Sequence, residues 1–150
     1  MPTRPVVTAM PDPWLIHFFQ RQKDDDPARQ VPTIDFLNGL SDKVAAEIQA
    51  VLEAVAAAPP PSFSGGGKWE AMREDMAGFY EVRVQGDGAN HRLFCLLDRN
   101  ADDLGGPSLI CLDGLSKPVR SAADPRDYRR VRQYAAEFRK HRTVYRQPGR

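Results

Sequence analysis

The sequence predicts a small α+β domain: an antiparallel β-sheet with an N-terminal helical hairpin on one face, closed by a C-terminal helix. Its 150 residues, of which 41% are hydrophobic and 27% charged, suit one globular domain. The first half carries an apolar stripe at helical spacing, and the second half alternates around an Asp-Gly turn. We therefore expect one domain over residues 13–142, a flexible tail over 1–12 and a flexible basic tail over 143–150.

The first half of the chain predicts one strand followed by two helices. Trp14 to Phe19 is a short run rich in aromatic and β-branched residues, which favours a strand. Pro32 to Leu40 predicts a short helix ending near Gly39, and Ser41 stands where the N-cap of the next helix belongs. That second helix is predicted by an apolar stripe and ends at the proline run 59–61; the stripe consists of Val44, Ile48, Val51, Leu52 and Val55.

The second half predicts a hairpin and a third long strand. Tyr80 to Gln85 alternates with period two, Gly86 to Ala89 carries the Asp-Gly turn signal, and Asn90 to Asp98 returns as the partner strand. A further strand begins at Ser108 and runs through Asp113 towards Lys117. These segments together predict the antiparallel sheet.

The last element is a predicted helix with one apolar and one basic face. Asp124 and Pro125 form an N-cap and first-turn pair, and the helix ends near Arg142. Its apolar stripe contains Tyr128, Val131, Tyr134, Ala135 and Phe138, and its basic face contains Arg126, Arg129, Arg130, Arg132, Arg139 and Lys140. The basic face is either a solvated surface or a binding surface for phosphates or an acidic partner.

Charge is distributed unevenly, although the net charge of the chain is only +1. Residues 1–67 carry 5 basic and 8 acidic side chains, whereas residues 117–150 carry 11 basic and 3 acidic ones. The net charge therefore gives no argument for a nucleic-acid partner, and any anion site must be local.

A hairpin loop of two or four residues predicts which residues face each other, whereas a three-residue loop with a bulge would shift the pairing. Symmetric pairing around it places Arg83 opposite Arg92, and Val82 and Val84 opposite Leu93 and His91 on the core side. Like charges directly opposite each other are unfavourable, so something must offset the arginine pair. Two interpretations stay open: Glu81 or an acidic loop neutralises the pair, or the two guanidinium groups bind one phosphate.

Other candidate sites receive less support from the sequence. Lys117 and Arg120 follow the last strand and are either solvated or placed over the arginine face, while His91 falls on the core side. Cys95 and Cys111 are expected to be core thiols, and no His or Cys spacing predicts a metal or other cofactor. The segment Gly65-Gly66-Gly67-Lys68 lacks the spacing of a phosphate-binding loop.

No apolar run is long enough to span a membrane, and the N-terminal residues have no apolar segment of the kind found in leader peptides. We therefore expect a cytoplasmic protein without a membrane partner.

Several motifs of the second half resemble the RelE/ParE toxin superfamily, in particular its phage-derived, HigB-like branch. They are Trp69-Glu, Tyr80-Glu-Val-Arg-Val, Asn90-His-Arg-Leu-Phe-Cys and the run Leu109-Ile-Cys-Leu-Asp-Gly-Leu-Ser-Lys117, followed by a terminal helix. The resemblance implies a RelE-like fold and the toxin of a type II toxin–antitoxin system. Many such toxins cleave mRNA on the ribosome.

The resemblance also implies roles for particular residues. Arg83, Arg92 and Lys117 match the cations of the family's strands and are the expected catalytic residues. Arg120, Arg129 and Arg130 are expected to bind RNA. No cofactor is implied, because RNA supplies its own 2′-OH nucleophile. The implied partners are a cognate antitoxin, the ribosome and mRNA.

A second interpretation comes from the ParE branch of the same superfamily. It implies a non-catalytic inhibitor of DNA gyrase, in which the basic helix and tail matter more than the hairpin arginines. An inactive prophage remnant is a third interpretation. Residues in both the hairpin and the helix must therefore be tested.

Overall fold

The computed structural model describes residues 12–58, 67–122 and 124–146 of the chain. Within them, five strands and three α-helices make up an α+β fold. The strands are β1 (Leu15–Phe18), β2 (Trp69–Ala71), β3 (Tyr80–Gly86), β4 (Ala89–Asp98) and β5 (Ser108–Pro118). The helices are α1 (Pro32–Asn38), α2 (Asp42–Ala57) and α3 (Pro125–His141). The predicted tail 1–12, apart from Asp12, and the glycines 65 and 66 lie outside the described residues.

The five strands form one mixed sheet in the order β1-β5-β4-β3-β2. Strands β3, β4 and β5 are antiparallel as expected, and β2 joins them in the same sense. Strand β1 pairs with β5 in parallel, so the prediction of a purely antiparallel sheet is wrong. Hydrophobic periodicity identifies a strand without giving the direction of its partner, which here lies about ninety residues further along the chain. Strand β2 was also missed, because three residues are too few to show a period.

The helices α1 and α2 cover one face of the sheet, as the sequence predicts. The hydroxyl of Ser41 accepts a hydrogen bond from the Val44 amide and caps α2. The predicted stripe of α2 is buried against β3, β4 and β5. Gly114 of β5 lies so close to the ring of Phe36 in α1 that a Cβ at this position would overlap with the ring.

Helix α3 covers the other face of the sheet. Asp124 and Asp127 form a reciprocal capping box at its start, and Arg142 ends it in a left-handed conformation. The stripe residues Val131, Ala135 and Phe138 are buried and belong to the same apolar cluster as Phe94 and Ile110 of the sheet. The predicted boundaries and apolar face of this helix are confirmed.

A β-bulge in β5 decides which of its side chains share the face of α3. Phe94 pairs with Asp113 and Cys95 pairs with Cys111, so Leu112 has no partner residue on β4. As a result, Leu112 and Leu115 both join the apolar cluster of α3, although they are an odd number of residues apart. The bulge thereby turns Asp113, Leu115 and Lys117 towards the α3 face.

The chain after α3 returns to the edge strand of the sheet. The Gln20 amide donates a hydrogen bond to the Thr143 carbonyl, the Tyr145 amide donates to the Phe18 carbonyl, and Val144 is buried. The sequence predicts a flexible tail over 143–150; its first three residues are anchored to β1, and residues 147–150 lie outside the described residues. In the described part of the chain, no helix has the length and apolar character needed to cross a membrane.

Candidate functional site

The two hairpin arginines meet on the α3 side of the sheet. Arg83 of β3 is the direct partner of Arg92 of β4, which confirms the predicted register. Side chains alternate between the two faces along each strand. The neighbouring pair, Val82 and Leu93, is therefore fully buried on the other face under α2. The hairpin turn and the buried face therefore place both guanidinium groups beside each other next to α3.

A buried carboxylate lies between the arginines. Glu81 Oε1 is 3.7 Å from Arg83 Nε, and Glu81 Oε2 is 4.0 Å from Arg92 Nη1. Glu81 is only 7% exposed, and its Oε2 accepts no hydrogen bond from the described residues. Burial raises the pKa of Glu81 above its ordinary value, and the opposing effects of Arg92 and Arg83 do not cancel this increase. This carboxylate offsets part of the charge of the arginine pair, so the two interpretations of the pair are not exclusive.

Strand β2 adds a second carboxylate at the rim. Glu70 is the cross-strand partner of Glu81, and its Oε2 accepts a hydrogen bond of 3.1 Å from Arg83 Nη1. The side chains of Arg83 and Glu70 are 43% and 47% exposed. An ion pair this exposed contributes at most about 1 kcal/mol, so an incoming phosphate can compete with Glu70 for Arg83.

Arg92 is more enclosed and holds a tyrosine in place. Its side chain is 19% exposed, and Nη1 donates a hydrogen bond of 3.3 Å to the hydroxyl of Tyr128 in α3. The Tyr128 ring also packs edge-on against Phe94, with a centroid distance of 5.9 Å. Because this is the one side-chain hydrogen bond of Arg92 among the described residues, several of its N–H donors remain for a ligand.

An open cleft of about 590 Å³ adjoins these groups. Glu81 and Tyr128 line its inner end, and Glu70 lies at its rim on β2. Its remaining walls come from the end of β2 and the segment after it, namely Ala71, Met72, Arg73, Glu74 and Met76. Glu81 therefore lines a space that a ligand can enter, and its unpaired oxygen is buried behind that lining.

Lys117 is on the same face but in a different ion-pair group. Its Nζ lies 3.3 Å from Asp127 Oδ2, and Asp127 also contacts Arg130 at 3.3 Å. Its direct partner on β4 is Asn90, so it is diagonal to Arg92. The structure brings Arg83 and Arg92 together around Glu81, whereas Lys117 faces the start of α3.

The three expected RNA-binding arginines differ in their surroundings. Arg130 Nε donates a hydrogen bond of 2.8 Å to Asp113 Oδ2, which is buried at the bulge. Burial raises the pKa of Asp113, although Arg130 opposes this effect. Arg129 is exposed on α3, and Arg120 is exposed beyond β5 with a positive φ of 74°. Arg129 and Arg130 share a shallow basic surface with Arg126, Arg132 and Gln133.

The other titratable candidates have structural partners. His91 is buried, with Nδ1 2.7 Å from the Ser116 hydroxyl and Nε2 2.9 Å from the Gly86 carbonyl, as its predicted core-side position requires. Cys95 and Cys111 are free, buried thiols 3.9 Å apart, which confirms them as core residues. The hydrogen bond between the two sulfurs and their burial raise the pKa of Cys95. Among the described residues, no group of His, Cys, Asp or Glu has the geometry of a metal site.

Sequence reasoning underestimated two residues of this site. The sequence predicts Glu81 only as a neutralising partner, although its period-two spacing from Arg83 places it on the same face. The helical stripe predicts Tyr128 as a core residue of the last helix. Its ring does pack against the core, but its hydroxyl reaches Arg92, a contact that only the packing of α3 on the sheet creates.

No protein-family model matches the chain, and no curated protein or solved structure matches it either. The geometry of the cleft, together with the motifs of the second half, therefore carries the functional interpretation.

Proposed function

We propose that this protein is the toxin of a type II toxin–antitoxin system of the RelE/ParE superfamily, and that it cleaves mRNA on the ribosome. The order of its elements supports a RelE-like fold: an edge strand, a helical pair on one face, consecutive antiparallel strands and a closing helix. The site supports RNA cleavage, because a buried carboxylate and a tyrosine line one cleft and two arginines contact them from behind it.

RNA cleavage requires a general base, groups that stabilise negative charge and a general acid, and the side chains of this site can supply each of them. Glu81 Oε2 takes the proton of the RNA 2′-OH, and the 2′-oxygen attacks the adjacent phosphorus. Arg92 and Arg83 stabilise the negative charge that develops on the phosphorane oxygens. The bond from phosphorus to O5′ then breaks, and O5′ takes the Tyr128 hydroxyl proton. The products are a 2′,3′-cyclic phosphate and a 5′-OH, so the step needs no oxidant and no metal ion.

The unpaired oxygen of Glu81 is the observation that carries this proposal. A buried acceptor without a donor costs about 1–3 kcal/mol, and a substrate hydroxyl would supply the missing donor. Burial raises the pKa of Glu81, which makes the carboxylate a stronger base than an exposed glutamate. Lys117, held by Asp127 at the start of α3, is then a contact for a flanking phosphate.

The basic face of α3 favours a second candidate function. Arg126, Arg129, Arg130 and Arg132 border one shallow surface, which suits an RNA backbone, an acidic antitoxin or, in the ParE-like alternative, DNA gyrase. An inhibitor of gyrase would use this surface and leave the cleft around Glu81 unused. The two functions therefore depend on different residues.

Pulse labelling in a bacterial host tests the proposal. Expression is induced under tight control, and incorporation of amino acids and thymidine is compared over the first minutes. We expect amino-acid incorporation to fall first, and Arg92→Ala to prevent the fall. A prior fall in thymidine incorporation would favour the gyrase inhibitor, and no effect on either would contradict both toxin functions.

A further inference from the structure

Two thiols face each other on the α2 side of the sheet. Cys95 of β4 is the direct partner of Cys111 of β5, and both side chains are buried in the apolar cluster under α2. Cys95 Sγ donates a hydrogen bond to Cys111 Sγ over 3.9 Å. The chain contains two cysteines in all, so any disulfide within one chain must join this pair.

The backbone at this pair meets the requirements of a disulfide. The Phe19 amide donates a hydrogen bond to the Cys111 carbonyl, so the backbone polar groups of Cys111 point towards β1 and away from β4. Cys95 and Cys111 are therefore a non-hydrogen-bonded pair, the type in which the two Cα atoms lie about 4.5 Å apart. This separation falls within the range of about 4.4–6.8 Å that disulfides need. Side-chain rotation can then bring the two sulfurs to bonding distance.

Helix α1 forms part of the cover over the thiols. It packs on β5 and supplies Phe36 and Leu37 to the apolar cluster that encloses them. It has only seven residues, its N-cap Val31 provides no side-chain hydrogen bond, and the buried hydroxyl of Thr33 has no hydrogen-bond partner in the described part of the chain. An unpaired buried polar group destabilises packing, and local opening of such an element takes less free energy than global unfolding. A small oxidant can therefore reach the thiols while the sheet stays folded.

We propose that Cys95 and Cys111 form a site of reversible oxidation, at which hydrogen peroxide converts the two thiols into a disulfide that locks β4 to β5. The Cys111 thiolate attacks one peroxide oxygen, the O–O bond breaks, and hydroxide leaves, so that Cys111 carries a sulfenic acid. The Cys95 sulfur then attacks the Cys111 sulfur and a second hydroxide leaves. The two thiol protons convert both hydroxides to water. Two thiols and one peroxide thus give one disulfide and two water molecules.

The hydrogen bond between the sulfurs determines which thiol reacts first. The S–H of Cys95 donates to the Cys111 sulfur, and a donor of this kind stabilises a thiolate on the acceptor. Cys111 therefore attacks the peroxide, and Cys95 closes the disulfide.

The disulfide ties the sheet together on the side away from the candidate site. Cys95 shares the α2 face with Leu93, whereas Arg92 points to the opposite face. The new bond closes a loop over residues 96–110, which lowers the conformational entropy of the unfolded chain. The oxidised protein should therefore resist urea better than the reduced protein.

Non-reducing peptide mass spectrometry tests this proposal after brief exposure of the folded full-length chain to hydrogen peroxide. Trypsin cuts between the two cysteines at Arg99. We expect a cross-linked pair of peptides about 2 Da lighter than the sum of the two reduced peptides, and its loss on treatment with dithiothreitol. The urea midpoint of the oxidised chain should exceed that of the reduced chain.

Four results would overturn the proposal. They are thiols that stay reduced, cysteines that gain oxygen without forming the cross-link, a cross-link that forms only at urea concentrations that unfold the chain, and an oxidised chain with a lower urea midpoint.

Two single variants test the order of the steps. Neither Cys95→Ser nor Cys111→Ser should form the cross-linked peptides. Dimedone, which traps sulfenic acids, should label Cys111 in Cys95→Ser faster than it labels Cys95 in Cys111→Ser, because the serine hydroxyl keeps a donor beside Cys111. Labelling in the opposite order would overturn the assignment of Cys111 as the first thiol to react.

Discussion

The carboxylate of Glu81 lies 4.0 Å from Arg92 Nη1, and its nearer oxygen accepts no hydrogen bond from that guanidinium or from any other described group. A buried ion pair usually closes to hydrogen-bond distance, because each charge loses hydration on burial. Here both partners keep unused hydrogen-bonding capacity, and Glu81 lines the cleft together with Tyr128, the residue to which Arg92 donates its hydrogen bond. This arrangement suits a ligand that inserts a hydroxyl and an anionic oxygen between them.

Removing the Arg92 guanidinium should reduce RNA cleavage without unfolding the protein. Loss of one group that stabilises transition-state charge lowers a rate on the order of a hundredfold or more. We expect this loss for Arg92→Ala in a single-turnover cleavage assay, with an unchanged circular dichroism spectrum. Lys43→Ala removes the same charge from the exposed surface of α2 and should retain full activity. Unfolding of Arg92→Ala would instead assign this residue a structural role.

Glu81→Gln should remove both the activity and its low-pH dependence. A general base must be deprotonated, and burial raises the pKa of Glu81 above its ordinary value of 4.5. The wild-type rate should therefore fall as the pH is lowered through this raised pKa, at a higher pH than for an exposed glutamate. The acid limb of the pH–rate profile of cleavage, in which the rate falls towards low pH, measures this dependence. An identical limb in Glu81→Gln would show that another group is the base.

The same substitution should stabilise the fold at neutral pH. A carboxyl whose pKa is raised on folding disfavours its ionised form, so ionised Glu81 lowers the stability above the folded-state pKa. Below the ordinary value of 4.5, Glu81 is protonated in both states and this cost disappears. Glu81→Gln should thus melt above wild type at pH 7.5, and the difference should shrink towards pH 3. A lower melting temperature for the variant at pH 7.5 would refute this effect.

Arg130 and Arg129 should separate a structural role from an RNA-binding role. Arg130→Ala leaves the buried carboxylate of Asp113 without its 2.8 Å partner, which costs about 1–3 kcal/mol of unfolding free energy. Arg129→Ala alters an exposed side chain and should change stability by less than about 0.5 kcal/mol while weakening RNA binding. Urea unfolding measures the free energy of unfolding of each variant, and an RNA-binding assay measures its affinity. If Arg130→Ala is as stable as wild type but binds RNA more weakly, Arg130 has an RNA-binding role and not a structural one.

Gly114→Ala should weaken the packing of α1 on β5. The added methyl group would overlap with the ring of Phe36, and such overpacking costs about 1–3 kcal/mol. Because Phe36 lies on the face opposite Glu81, cleavage by the remaining folded protein should be unchanged. Thermal unfolding measures the loss, and combining the change with Phe36→Leu should recover part of it. A single variant as stable as wild type would contradict this packing.

The sequence predicted the elements that depend on local signals. The Asp87-Gly88 turn gave the register that pairs Arg83 with Arg92, and the caps at Ser41 and Asp124 gave the starts of α2 and α3. The parallel pairing of β1 could not be predicted, because strand direction depends on contacts far apart in sequence.

Parts of the site depend on tertiary packing in the same way. The bulge at Leu112 changes which side chains of β5 face α3, and no local pattern marks it. It brings Lys117 to Asp127 and Asp113 to Arg130, pairings that the order of residues does not reveal. The contact between Tyr128 and Arg92 likewise exists only once α3 packs on the sheet.

The most direct test of the account uses an mRNA bound to bacterial ribosomes and the purified full-length chain. We predict cleavage in the presence of a chelator for free transition metals, with a 2′,3′-cyclic phosphate on the upstream product. Cleavage should be lost when the nucleotide before the break carries 2′-deoxyribose, and lost again with Glu81→Gln. Cleavage that persists on the 2′-deoxy substrate, or an upstream product ending in a free 3′-OH, would contradict it.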